Sequence, residues 1–504
     1  MILLVEQNPS GLKELLERLT SSVGFILPEI ALVTGLVMLL IFDLIFSEKK
    51  SIGLAAIAFS TLSFLLVYLL FSFKPETLGK DIFEGLISYG SGSHLFKIGL
   101  CATALGALLM AAYSKKYSLF FFSSSEWLIC LFGLMLGAFL MTMSSNLLMI
   151  YLSVEVVSIC SYLLSGLGIG KKKSEASIKY LLYGAAASAA MLYGFSWLYG
   201  LTGSLEIGSD TFLSGILVAD PVTLSIALFM VLAGLLFKLG AFPMHIWSPD
   251  IYEAVPLPTV TLFSIVPKLA AVFVLFRFTT TLGEIDFDWT FWLGIISIGG
   301  MIVGNFSALW QRNAKRMMAY SSIAHAAFIL SGILLVNRTG LEAVTYYALI
   351  YLAMNLGVFY LLQIIENEIG SLDYDKLHGL GKRVPYVSVL LLIGLISLIG
   401  LPPTAGFSAK LFLFSALFEK YSISGDSILL WVFIVGLLNT IVSLFYYIRL
   451  PYLMFFKEES RTIPRQTRFT WQAFWGTCLI LPLLLLFFRA DWFVDLLNSV
   501  NFDF

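Results

Sequence analysis

An all-α integral membrane protein of about 14 transmembrane helices is the fold class this sequence predicts, and three observations predict it. The 504 residues are 59% hydrophobic and 12% charged, with a mean hydropathy of +0.91; a soluble domain carries roughly 25% charged residues. Apolar runs of roughly 20 residues, the length that crosses a bilayer's hydrocarbon as a helix, recur along the whole chain. Gly and Pro interrupt two of these runs beside lysines, in KLGAFP and in LIGLPPTAGFSAK, the pattern of the discontinuous helices that transporters use.

Taken in order, Met1 to Gly24 sets Leu12, Leu15, Leu16 and Leu19 at helical spacing among Lys13, Glu14, Glu17 and Arg18, which predicts an interfacial helix. It lacks a basic start and a small-residue cleavage site, so the first span is expected to stay uncleaved. Spans are expected near 25–46, 52–72, 94–113, 126–143, 146–168, 177–201, 222–243, 256–280, 290–310, 316–336, 341–363, 386–417, 427–455 and 470–488. Alternate loops collect most of the basic residues, including Lys49, Lys50, Lys115, Lys116, Lys171 to Lys173, Arg312, Lys315, Arg316, Lys382, Arg383, Arg461 and Arg465. By the positive-inside rule those loops are cytoplasmic, both termini face outward, and Lys171–Lys173 acts as a retention signal rather than a binding patch. No loop is long enough to form a domain, so the function must reside in the bilayer.

A weak repeat divides the chain. EASIKY from Glu175 precedes the break at KLGAFP by some sixty residues, and EAVTYY from Glu342 precedes the break at LIGLPPTAGFSAK by a similar distance. Five spans per copy, an odd number, make the copies inverted. The expected organisation is 1–125 for the interfacial segment and three spans, 126–283 and 284–455 for the two inverted five-helix repeats, and 456–504 for a loop and last span.

Net charge is near zero, so nothing points to nucleic acid. Cys101, Cys130, Cys160 and Cys478 lie singly in apolar runs and read as small buried hydrophobes. With four histidines, no metal-ligand spacing and no Gly-rich nucleotide loop, the chain shows no cofactor or metal site of its own.

The candidate functional residues are the ionisable groups inside apolar runs, which are expensive there and mark ion or proton paths. Lys238 and Lys268 flank the first break. Glu155, in LSVEVVS, has no basic neighbour in its own span and takes Lys238 as its natural partner, in a pair that is either functional or merely structural. Lys268 has no obvious acid. His325, in AYSSIAHAAFIL, either relays protons or packs through hydrogen bonds. Lys410 follows the second break and either carries protons or snorkels from a helix end. His245 either caps backbone freed by Pro243 and Pro249 or lines an inlet with Asp250 and Glu253. Pro243, Pro402 and Pro403 support the two breaks.

FKLGAFPMHIWSPDIYEAVPLPTV, SIVPKLAA, KRMMAYSSIAHAAF, YLAMNLGVF and GLPPTAGFSAKLFLF, in this order, resemble the proton-pumping antiporter-like subunits of respiratory complex I, a bacterial NADH:quinone oxidoreductase. Lys410, where the M-type sister subunit has a glutamate, and YLAMNLGVF, without a lysine, resemble the N-type branch. His325 resembles the bacterial respiratory form more than the chloroplast and cyanobacterial one. The resemblance implies fourteen helices, discontinuous seventh and twelfth helices, and a relay of Glu155, Lys238, Lys268, His325 and Lys410. It also implies assembly with antiporter-like sister subunits and membrane lipids in the inner (plasma) membrane. NAD, FMN, iron–sulfur clusters and quinone are implied for other subunits, whose quinone reduction drives the pump. A subunit of a cation/proton (Na+/H+) antiporter would use the same fold and lysine–glutamate pair; a structural scaffold would leave the three lysines unexplained.

Overall fold

The computed structural model describes residues 17, 20–46, 50–77, 79–114, 125–168, 170–283, 287–458 and 471–502. The interfacial helix expected over Met1 to Gly24 lies largely outside the described residues, as do the basic loop residues between 459 and 470.

The helices are α1 Leu27–Ile45, α2 Lys50–Ser72, α3 Ser91–Tyr113, α4 Ser125–Met143, α5 Leu147–Gly166, α6 Lys171–Thr202, α7 Asp210–Val218, α8 Pro221–Leu239 and α9 Trp247–Ala254. They continue as α10 Leu257–Thr281, α11 Trp289–Leu309, α12 Ala314–Ile333, α13 Arg338–Ile369, α14 Pro385–Ile399, α15 Ala405–Ser424, α16 Ser427–Phe456, α17 Trp471–Phe488 and α18 Ala490–Ser499. Among the described residues, twelve helices are long and apolar enough to cross a membrane. Helix α12, with Lys315, Arg316 and His325, and the broken pair α14–α15 occupy the two further positions where the sequence predicts spans.

Starts and stops follow local chemistry. Asn146, Asp220, Asn313, Asn337 and Asp426 each place a side-chain oxygen on the free amides of the helix that follows, which satisfies donors that hydrocarbon would leave unpaired. Pro221 fits the first helical position of α8, where no amide is needed.

Helix α10 is the pillar: every residue of its most apolar window is buried, and α3, α4, α5, α8, α12 and α13 pack around it. At the rim, α1, α2, α16 and α17 bury less than a third of theirs, as lipid-facing helices do. Helices α4 and α5 form one tight hairpin, α11 and α12 another. Each is closed by a glycine: a Cβ on Gly137 would come within 2.9 Å of the Val157 backbone nitrogen, and one on Gly304 within 2.7 Å of that of Ala324. Small residues let the backbones approach.

Two expected spans are broken. Helix α8 ends at Gly240 (φ 59°), which donates to Leu236 and Phe237 carbonyls, and the helix resumes at Trp247. Helix α14 ends at Gly400 (φ 83°), donating to Ile396 and Ser397, and resumes at Ala405. Only glycine takes this left-handed cap without strain. The span expected at 386–417 is thus two helices, and its second part runs on to Ser424. The span expected at 341–363 extends from Arg338 to Ile369, because polar side chains past the apolar run find backbone partners. Gln363 Nε2 donates to Met110 O (2.5 Å) and Asn367 Nδ2 to Tyr113 O (2.9 Å), filling carbonyls at the end of α3. Helix α6 likewise begins at Lys171, six residues before its expected start.

Three elements had no counterpart in the sequence reading. An antiparallel hairpin pairs β1 (Lys80–Ile82) with β2 (Ile87–Tyr89) and docks Ile82 and Ile87 on Met143. Helices α7 and α18 are short and flank the spans. Of the cysteines, Cys101 and Cys130 are buried, Cys160 is half-buried and Cys478 is exposed, so the expectation of burial is corrected for Cys478, which faces outward from a rim helix.

Candidate proton-relay site

The two breaks bring three lysines into the interior. Lys238 occupies the last turn of α8, where the helix dipole favours a cation. It is 3% exposed, and its Nζ donates to Ser158 Oγ on α5 at 2.5 Å, with the Tyr162 ring 5.5 Å away. Ser158 in turn donates to Val154 O (2.6 Å), which leaves its lone pairs to the lysine.

Glu155, Ser158 and Tyr162 stand on one face of α5 at i, i+3 and i+7. The direct ion pair expected between Glu155 and Lys238 is not formed. The ammonium is bonded to the serine one turn further on, and Glu155 Oε1 is buried without a hydrogen-bond partner among the described residues. The physical reason is register: Ser158 is the α5 residue that meets the end of α8.

Helix α10 carries Lys268 next to Pro267, inside the helix. Lys268 Nζ donates to the Ser322 carbonyl of α12 at 2.7 Å. A Cβ on Gly240 would sit 3.9 Å from that Nζ, so Lys238 and Lys268 flank the same break.

Polar side chains then continue across α12. Ser322 Oγ meets Tyr351 OH (2.8 Å) and Tyr252 OH (3.2 Å). His325, one turn on, joins Tyr347 OH through Nδ1 (2.7 Å) and Tyr447 OH through Nε2 (3.2 Å); Tyr447 OH also bonds Ser321. Lys410 is 5% exposed; it reaches back over Gly400 to donate to Ile399 O (2.7 Å) and lies 4.8 Å from the Phe328 ring. The side chain folds into the second break and not out to a helix end.

Around the first break, Trp247 Nε1 donates to Phe237 O (3.2 Å), which also accepts from Gly240 N, and its ring stacks on Tyr180 at 4.4 Å. Pro243 lies in the first break, Pro402 and Pro403 in the second. The half-buried His245 acts through its backbone, whose carbonyl accepts from Ser248 N (3.0 Å); its Nδ1 has no partner among the described residues. The nearby acids Asp250 and Glu253 are engaged by Arg316 at 3.0 and 2.9 Å.

Sequence reasoning missed the tyrosines, serines and Trp247 that join the charged residues. Their signal was faint: Ser158 stands one turn after Glu155 and Ser322 one turn before His325 within apolar runs, and the tyrosines had no charged residue one turn away to mark them. It also missed a second buried charge cluster. Lys97, fully buried in α3, lies 2.6 Å from Glu29 Oε1 of α1, and Arg277 of α10 donates to the Met143 and Ser144 carbonyls. Among the described residues no three His, Cys, Asp or Glu gather as a metal site.

Buried lysines beside two helix breaks, with hydroxyl and imidazole groups between them, mark a multi-pass membrane protein of the ion-translocating class. The chain belongs to the NADH:quinone oxidoreductase/Mrp antiporter transmembrane family, whose pattern matches residues 144–438. It is 36% identical to NADH-quinone oxidoreductase subunit N of Chlorobium chlorochromatii, over 94% of each chain. It is 37% identical to subunit N 2 of Chloroherpeton thalassium, over 90% of each. A chain in the structure of respiratory complex I from Thermus thermophilus with bound aureothin superposes with a TM-score of 0.78 at 26% identity, covering 94% of this chain and 100% of that one.

Proposed function

We propose that this chain is a proton-translocating membrane subunit of a NADH:quinone oxidoreductase, built to move protons while neighbouring subunits reduce quinone. The observation that carries the reading is the buried polar layer from Glu155 and Lys238 through Lys268 and His325 to Lys410. A buried ammonium held by one neutral acceptor is costly to keep charged. Movement of Glu155 toward Lys238 would hold a proton there; its withdrawal would drive the proton toward Lys268. His325 and the tyrosine hydroxyls bridge from Lys268 to Lys410, with water filling the longer gaps.

In this reading the enzyme class is a translocase, and NAD, FMN, iron–sulfur clusters and quinone belong to partner subunits, antiporter-like sisters among them. The chain lies in a bacterial inner membrane with both termini periplasmic. Its organisation is 1–125, two inverted repeats at 126–283 and 284–455, and 456–504. Matching broken helices, glycine-closed hairpins and the 32-residue helices α6 and α13 support the repeats.

The test is proton uptake driven by quinone reduction in membrane vesicles. Glu155→Ala and Lys238→Ala should each abolish most uptake in an assembled complex, and the double variant should lose little more than either alone, because both disable one unit. Additive losses would show that the two act separately. Sodium/proton exchange by the chain without quinone-reducing partners would favour the antiporter.

A further inference from the structure

One face of α6 runs from the basic mouth of the bundle to the first helix break. Lys172, Ala176, Lys179, Tyr183, Ala187 and Ala190 fall on a single stripe at helical spacing. At its start is an open cavity of about 760 Å³ lined by Lys171, Lys172, Lys173, Lys179 and Arg316 together with Glu175, Asp250 and Glu253. The three carboxylates are engaged: Glu175 by Lys179 at 2.7 Å, Asp250 and Glu253 by Arg316 at 3.0 and 2.9 Å. Five cationic side chains face three carboxylates, so the mouth keeps an excess of positive charge, with Lys171 and Lys172 at its edge. No side chain caps α6 at Gly170, so the free first-turn amides add to the positive field there.

Further along the stripe lies a second cavity, of about 200 Å³ and almost wholly apolar. Tyr183, Ala187 and Ala190 form one wall, and Ala233, Met244 and Trp247 the other. Its alanines leave a slot between α6 and the broken helix. From Tyr183 to Ala190 the slot follows α6 for about 10 Å, a large part of the ~15 Å hydrocarbon depth of one leaflet. A cationic mouth lined as far as Lys179, followed one helical turn along α6 by an apolar slot that begins at Tyr183, matches a molecule with a phosphate at one end and a hydrocarbon chain at the other.

We propose that these two cavities form one binding site for an anionic glycerophospholipid of the host membrane. The headgroup phosphate rests on Lys171 and Lys172 at the head of α6, and one acyl chain lies in the slot beneath the first break. Phe237 and Trp247 wall the slot, and the bond from Trp247 Nε1 to Phe237 O closes the helix end that presents Lys238. An acyl chain in the slot holds those two residues together. On the pumping reading above, lipid occupancy sets the geometry of Lys238; the binding claim does not depend on that reading.

The test uses the intact, delipidated membrane complex that contains this chain and phosphatidylglycerol with a photoreactive acyl chain, crosslinks being mapped by peptide mass spectrometry. Phosphatidylglycerol is expected to label the Tyr183–Ala190 and Met244–Trp247 segments far more efficiently than the phosphatidylcholine analogue. Lys171→Gln/Lys172→Gln should weaken half-saturation at these segments about thirtyfold, at roughly fivefold per surface lysine. Ala190→Phe should abolish labelling by filling the slot, in a complex of unchanged assembly. Equal labelling by both lipids, or parental titration in both variants, would overturn the proposal. So would full competition by millimolar inorganic phosphate with Ala190→Phe silent, which would mean a phosphate site alone. Loss of a neighbouring subunit on Ala190→Phe would reassign the slot to a protein contact. Proton uptake, measured separately, tests the link to Lys238.

Discussion

Ser158→Ala removes one hydroxyl and tests whether a neutral partner holds the first relay lysine. Ser158 Oγ, 2.5 Å from Lys238 Nζ, is the hydrogen-bond acceptor the structure gives that ammonium. A hydrogen bond to a charged group contributes about 1.5–3 kcal/mol. Without it, and with Glu155 out of contact, the ratio of protonated to neutral Lys238 should fall by about ten- to 150-fold. Redox-driven proton uptake should fall with it, while blue-native electrophoresis shows the complex intact. Ser158→Thr, which keeps the hydroxyl, should recover most of the uptake. Ser165→Ala is the control: that hydroxyl bonds the Tyr162 carbonyl of its own helix, and its loss should leave uptake near the parental rate. Parental uptake in Ser158→Ala would refute the reasoning and return Lys238 to Glu155 as its working partner.

Two other outcomes are expected. Lys410→Arg keeps the charge but cannot release a proton, so an assembled complex should pump about a hundredfold more slowly, near the lower end of what a positioned proton-transfer group contributes; parental uptake would make Lys410 a structural anchor for the Ile399 carbonyl. Glu29→Gln leaves Lys97 buried without its counter-charge, which should destabilise the protein by about 3–5 kcal/mol. Glu29→Gln/Lys97→Met should restore thermal stability in detergent, and a double variant no more stable than the single one would show that the pair is not what holds α1 to α3.

The sequence by itself determined the membrane class, the approximate positions of the spans, both helix breaks and the buried ionisable residues from which the relay is proposed. Each of these is a local signal: twenty apolar residues in a row, a Gly–Pro interruption, a lysine where hydrocarbon should be. Span ends were less legible. Helix α13 outruns its apolar stretch because Gln363 and Asn367 find carbonyls of α3 more than two hundred residues away, and no local rule foresees such partners. The relay residues were visible one by one, but their connections were not. That Lys238 meets Ser158 and not Glu155, that Lys268 takes a carbonyl of α12, and that Tyr347 and Tyr447 hold His325 between them all depend on the rotation of one helix against another. Lys97 escaped notice for the same reason: it lies near the start of its span, and only the packing of α1 and α4 closes over it and supplies Glu29. Hydrophobicity fixes which segments enter the membrane, whereas a polar group's partner inside it is set by close packing between helices, which only the tertiary structure decides.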